Sequence, residues 1–285
     1  TISGILSPSE SNPSTLSLKS TSPPEFTSAS ESPKEVEGLS LLSFTKFGNV
    51  CKSTELALFS IVPRIAIEKR IPLIFWGENP ALQVGDSATL GENELDGSNL
   101  RLLNTLIEGG NDWMSSKSFD QHLNFYSYPN FKDLKKYGID IIFLGTVWDD
   151  WSNDENSSYA SLSGLELRPK DVSLTGDISG ASMLDEEFTN INMMLKYFKF
   201  GFGRATDTVN EKIRLGLITR SKAIEIVKKY DGVCDKSIIQ RYCDYVNISD
   251  KKFWEIVNKF ANNKLFKITK GKKPIPKFKV GVNFD

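Results

Sequence analysis

Histidine is nearly absent from this 285-residue chain, where His122 stands alone. A zinc cluster built from cysteines and histidines is excluded on that ground, as is any chemistry that needs two imidazoles. Cysteine is scarce too. Cys51, Cys234 and Cys243 form no CxxC pair, and an odd count with no secretory leader predicts reduced thiols in a cytoplasmic protein. Long apolar runs are also missing. The longest, residues 71–76 and 139–147, fall far short of the ~20 residues a membrane-spanning helix requires, so a soluble protein is expected. Neither sign of charge prevails: 35 Lys and Arg stand against 36 Asp and Glu. That balance supplies no global basic field and argues against phosphate-backbone binding as the main activity, while leaving local patches open.

What is present is unevenly distributed. Residues 1–38 are dominated by Ser, Pro, Thr and Glu, with too little apolar surface to offset the entropy of ordering, so disorder is expected there. The first residue is Thr rather than Met, which reads as an incomplete chain or one whose first residue is missing. From residue 39 onward the texture is that of a folded protein, long enough to bury a sizeable core. The sequence divides it into an α/β portion (39–183), a helical C-terminal subdomain (184–266) and a basic, Pro- and Gly-punctuated tail (267–285) that reads as a solvated arm.

Leu56, Phe59 and Ala66 recur at near-helical spacing after Ser53-Thr54-Glu55, with Pro63 expected to kink or restart the helix. The uncharged block 71–76 follows as a buried strand ending in the polar loop Gly77-Glu78-Asn79-Pro80. A second unit repeats the order: a short helix over 130–137, a C′ glycine at Gly138, then a buried strand through Ile139 to Gly145. Helix followed by strand, twice, predicts a parallel sheet whose sites lie beyond the carboxyl ends of its strands. Beyond Leu184 the spacing of Leu184, Phe188, Ile191, Leu195 and Phe198 turns helical. Thr219 and Ser249 are suited to cap two further helices.

Three polar constellations could carry chemistry. The loop from Gly77 to Asp86 places Glu78, Asn79 and Gln83 directly beyond a buried strand, where they could orient a nucleotide, hold Mg²⁺ or bond an amide; a cap with a turn is the plainer reading. The segment Gly201-Phe202-Gly203-Arg204-Ala205-Thr206-Asp207, followed by Arg214 and Arg220, offers close backbone approach and guanidinium forks for phosphate or carboxylate. It contains neither GxxxxGK[ST] nor GxGxxG, so a structural turn with ion pairs competes with binding. Trp148-Asp149-Asp150-Trp151, with Asn153-Asp154-Glu155, could hold a metal or stack on sugar rings, or be a solvated loop.

Three segments together resemble a known family. The runs IPLIFWGENPALQVGD (71–86), GSNLRLLNTLIEGG (97–110) and above all KYFKFGFGRATDTVNEKIRLGLITRSKAIEIVKKYDG (196–232) are similar to the N-acetyl sugar amidotransferases of the PP-loop ATP-pyrophosphatase superfamily. These act in bacterial surface-polysaccharide (LPS) biosynthesis. The resemblance spans about 41–266 and implies a PP-loop-like parallel sheet with a helical C-terminal subdomain. It also implies ATP and Mg²⁺ as cofactors, a nucleotide-linked N-acetyl sugar as substrate, and ammonia supplied by a partner glutaminase subunit. By position, Glu78 and Asn79 would be catalytic, and Gly77, Gln83, Asp86, Gly203, Arg204, Thr206, Asp207 and Arg214 would bind nucleotide or substrate. The family's phosphate-gripping loop S-G-G-x-D-S is not in this sequence, where Ser3-Gly4 is followed by Ile5-Leu6-Ser7. The expectation is therefore an incomplete, AMP-forming amidotransferase, inactive as it stands. The alternative is a non-catalytic module that keeps sugar-nucleotide or partner binding.

Overall fold

The computed structural model describes residues 33–81, 86–103, 106, 112–114, 123–147, 152–168 and 171–282. Helix α1 (Pro33–Phe47) starts inside the stretch read as disordered, and the rest of that stretch lies outside the described residues. Helix α2 (Lys52–Lys69) runs through Pro63 as one helix, so it is not restarted there. Pro63 sits on the helix's buried face with Leu56 and Ala66, so packing there outweighs a lost hydrogen bond and ring clash of ~3 kcal/mol. Arg70, left-handed at φ 56°, closes the helix by donating its N–H toward the Ala66 and Ile67 carbonyls.

The chain then reverses into strand β1 (Leu73–Trp76), which pairs in parallel with β2 (Asp140–Phe143), Leu73 opposite Asp140 and Trp76 opposite Phe143. Helix α3 (Phe131–Lys136) precedes β2. Its Asn130 cap accepts from the Lys132 N–H at 2.9 Å, and Gly138 turns the chain at φ 61°. The expected parallel sheet is thus present as two strands among the described residues. The far edge of β2 is closed by an antiparallel bridge to Asp96, where the Gly97 N–H donates to the Ile141 carbonyl at 2.8 Å. Helix α2 covers one face of the pair. Phe59 stacks on Trp76 at 5.3 Å, and Ala66 packs with Ile74, Leu134 and Ile141. Because the end of β1 meets the start of α2, the two elements run antiparallel, and the first turn of α2 lies at the carboxyl end of the strands. Helix α4 (Asn153–Leu162) follows, with the Ser152 hydroxyl accepting from the Glu155 N–H.

Five helices make up the C-terminal region: α5 (Thr189–Phe200), α6 (Arg204–Arg214), α7 (Arg220–Tyr230), α8 (Lys236–Tyr245) and α9 (Asp250–Phe260). Thr219 and Ser249 cap α7 and α9 as expected, accepting from the Lys222 and Lys252 N–H groups. Helix α5 starts later than the Leu184 periodicity implied. Phe188 occupies its N-cap position and packs edge-on against Tyr242 at 5.1 Å. The core is aromatic, with Phe198, Tyr242, Phe253, Trp254 and Phe266 all buried, and α1 contributes Phe44, which meets Tyr242 and Phe253 at 5.7 and 5.2 Å.

The tail is not a solvated arm. Strands β3 (Phe266–Lys267) and β4 (Ile275–Pro276) pair antiparallel, and Phe278 packs on Phe266 at 5.6 Å. Asn258 of α9 fixes the intervening turn through the Gly271 N–H and the Lys272 carbonyl, both at 2.9 Å. Composition favours solvation, but Phe266 is fully buried and Phe278 packs, partly buried, against the same core.

Candidate functional site

Beyond β1 the backbone leaves the sheet through Gly77, Glu78 and Asn79. Asn79 is 1 % exposed. Its Nδ2 donates to Thr146 Oγ1 at 2.8 Å, its Oδ1 accepts from the Ala81 N–H at 3.0 Å, and Thr146 Oγ1 in turn donates to the Glu94 carbonyl. Asn79 therefore ties the loop after β1 to the turn after β2, a positioning task for a residue expected to be catalytic. Asp86 likewise shapes this loop, its N–H donating to the Pro80 carbonyl and its own carbonyl accepting from Thr89 Oγ1 at 2.7 Å. Gln83 lies outside the described residues. At Gly77 no fold requirement calls for glycine: its φ is not left-handed, and a Cβ there would point into open space.

Glu78 is the loop's available acid. Partial desolvation, and then the carboxylate of Asp185 just ahead of α5, push its carboxyl above the ordinary range. A second acid, missed in the sequence because it stood among helix-opening residues, faces the same end of the sheet. Burial lifts the Glu55 carboxyl to about 7; Lys52 opposes that rise, Glu78 adds to it, and a hydrogen bond with Asn49 pulls back. Its Oε2 is buried with no hydrogen-bond partner among the described residues. Lys52 is itself 1 % exposed, with its ammonium 5.1 Å over the Phe47 ring. Beside it, burial pushes the Cys51 thiol up, and Glu186 and Glu55 push it further. The clue that sequence held was geometric: in a helix that reverses directly into a strand, the first turn must lie at the strand's far end.

The second constellation is brought together, but around its own members. Arg204 is 6 % exposed; its Nη1 donates to Asn190 Oδ1 at 2.9 Å and lies 3.9 Å from the buried Asp177 carboxylate, which Arg168 also approaches at 3.6 Å. Gly203 N–H donates to Asp231 Oδ2 at 2.9 Å, and Thr206 gives Asp231 both its hydroxyl at 2.6 Å and its N–H at 3.3 Å. The amino end of α6, where an anion would be drawn, already holds the carboxylate of Asp231. Asp207 pairs with Lys196, and Arg214 stands exposed on the last turn of α6. Of the expected binding residues in this segment, Arg214 alone presents a free charged side chain to solvent, and the Gly77–Glu78 loop is not joined to it by any described contact.

Trp148, Asp149, Asp150, Trp151 and His122 lie outside the described residues. The three cysteines are free and buried, with Cys234 pushed up to about 12 and Cys243 to about 11, chiefly by burial. These are inert thiols. Among the described residues no three His, Cys, Asp or Glu side chains are grouped to hold a metal ion, and no helix is long and apolar enough to cross a membrane. Among the described residues the implied Mg²⁺ thus finds no ready donor set, and the S-G-G-x-D-S loop that would grip the implied ATP is not in the sequence.

Residues 184–279 match the family described as "LPS biosynthesis protein WbpG-like, C-terminal domain". The match covers the five C-terminal helices together with the β3–β4 arm, and it points to LPS biosynthesis. No curated protein matches the chain.

Proposed function

We propose that this chain is the acceptor-side portion of an amidotransferase that converts the N-acetyl group of a nucleotide-linked sugar to an acetamidino group in bacterial LPS biosynthesis, with ammonia delivered by a partner glutaminase. One observation carries the reading. The LPS-biosynthesis match at 184–279 falls on the segment 196–232 whose residues most resemble the N-acetyl sugar amidotransferases. ATP activation of the acetamido oxygen belongs to that chemistry, but the described residues offer it no metal cluster and the sequence no S-G-G-x-D-S loop.

What the described residues do supply is a proton acceptor. Ammonia adding to an amide-derived carbon becomes positively charged and must shed a proton. A carboxylate with its pKa near the working pH is suited to take it. Glu55, held near 7 with one buried oxygen unpartnered, has that property, and Glu78 stands at the mouth of the same end of the sheet. Gly77, free of any packing demand, leaves the backbone open to close approach by a ligand.

Calorimetric titration with a UDP-linked diacetamido uronic acid, set against ATP, tests the proposal. Binding of the sugar nucleotide by the wild-type chain is expected, with no AMP released when ATP and ammonia are added to this chain alone. Supplying a segment that carries S-G-G-x-D-S should recover AMP release, and Glu55→Gln should then abolish it. Failure to bind the sugar nucleotide would sink the assignment. Binding that never leads to AMP, even with that segment supplied, would favour the non-catalytic module.

A further inference from the structure

The chain's near-neutral total conceals a charge division. Residues 184–279 hold 21 Lys and Arg against 11 Asp and Glu, leaving 14 against 25 elsewhere. The excess concentrates in the arm that follows α9. Seven lysines occur between residues 264 and 279, and no acid occurs between 256 and 284. All seven are exposed, and none forms an ion pair among the described residues. This is not a loose tail, because the arm is held by the β3–β4 pairing, the Asn258 hydrogen bonds and the seat of Phe278 on the core. Its charges are therefore displayed on a fixed backbone. Apolar groups stand among them. Ile275, 59 % exposed, lies opposite Lys267 in the register and so shares a face with it. Phe200 and Phe202, 59 % and 40 % exposed, project from the Gly201 turn, which rests on Leu265 of the same arm: a Cβ on Gly201 would come within 2.9 Å of Leu265 Cδ1.

We infer that this face, the lysine-rich arm at 264–279 with Ile275, Phe200 and Phe202, binds the surface of a membrane containing anionic lipid. Each lysine near such a surface contributes attraction within a Debye length, and exposed aliphatic and aromatic side chains enter the headgroup boundary where a purely polar partner would leave them in water. Apolar groups interspersed with the lysines favour lipid over a nucleic-acid backbone, which needs charge alone. The inference does not depend on the amidotransferase reading.

Co-sedimentation of the full chain is the test, with vesicles of phosphatidylcholine alone and of phosphatidylcholine mixed with phosphatidylglycerol. The chain is expected to pellet with the mixed vesicles only, and less so as salt rises. Replacing Lys270, Lys272 and Lys273 with Gln should weaken partitioning on the order of a hundredfold at low salt, and Ile275→Ser should weaken it further at a fixed charge. These side chains are exposed, so an unchanged melting temperature verifies folding; if the triple variant melts early, Lys264→Gln with Lys267→Gln and Lys279→Gln replaces it. Pelleting with neutral vesicles equally, pelleting with neither, indifference to the lysine substitutions, or tighter binding of poly(U) RNA than of mixed vesicles at the same salt would each overturn the inference.

Discussion

A carboxyl group buried without enough donors prefers its proton, and Glu55 is in that position. Its folded pKa, about 7, lies above the ordinary 4.5, so the folded state holds a proton that the unfolded state releases in that interval. Stability that is full below pH 4.5 must therefore decline as pH rises toward 7, at up to roughly 1.4 kcal/mol per pH unit, and level off above it. Glu55→Gln keeps the shape and removes the titration. Thermal melts at pH 5 and pH 8 are expected to show the variant gaining on the wild type at the higher pH, with the gap closing at the lower. An equal gap at both would mean that the carboxyl is not buried as described. Gly232 makes a different kind of residue-scale demand. At φ 72°, with Tyr197 Cδ1 2.2 Å from where a Cβ would stand, it combines backbone and packing constraints, so Gly232→Ala should cost at least ~1 kcal/mol in chemical denaturation.

Elements were legible where their chemistry is local. Asn130, Thr219 and Ser249 announce helix starts because a cap bonds a backbone N–H two or three residues on, and the two helix-to-strand units led directly to the parallel pairing of β1 with β2. What sequence could not disclose is which distant residues meet. The motif at 203–207 reads as a binding feature, yet it is the distant Asp231 that caps α6, taking the Gly203 and Thr206 donors for itself. Three hydrogen bonds converge on that one carboxylate despite the burial that raises its pKa. Asp231→Ala is expected to destabilise the chain by about 2 kcal/mol, the upper range for loss of a cap, and Thr206→Ala by about 1 kcal/mol. Because both remove the same contact, the double variant should fall short of the sum by 0.5 kcal/mol or more on the order-of-magnitude scale of coupled neighbours. Strict additivity would show that Thr206 and Asp231 do not act together.

At the scale of the whole molecule, the boundary of the family match and the boundary of the core do not coincide. The match starts at residue 184, whereas the aromatic core that organises 189–278 also takes Phe44, Val50 and Cys51 from ahead of it. Ser40 reinforces the join, its hydroxyl donating to the Val50 carbonyl at 2.7 Å and lying 3.2 Å from the Tyr242 hydroxyl. Periodicity could not reveal this, since α1 carries no stripe that distinguishes which of its neighbours will cover it, and the partners of Phe44 lie some two hundred residues away. Residues 184–282 are therefore not expected to form a self-sufficient folding unit. Phe44 is fully buried between Tyr242 and Phe253, so Phe44→Ala opens a cavity in the C-terminal core although it alters no residue of that region. A loss of about 3–5 kcal/mol is expected from urea denaturation, reported by Trp254, whose ring meets Phe253 at 5.2 Å and Phe198 at 6.4 Å. The isolated 184–282 segment, lacking α1 altogether, should lose its near-ultraviolet circular dichroism while keeping helical far-ultraviolet signal. A segment that folds cooperatively by itself, or a Phe44→Ala variant as stable as the wild type, would show that α1 merely rests on the helical region rather than completing it.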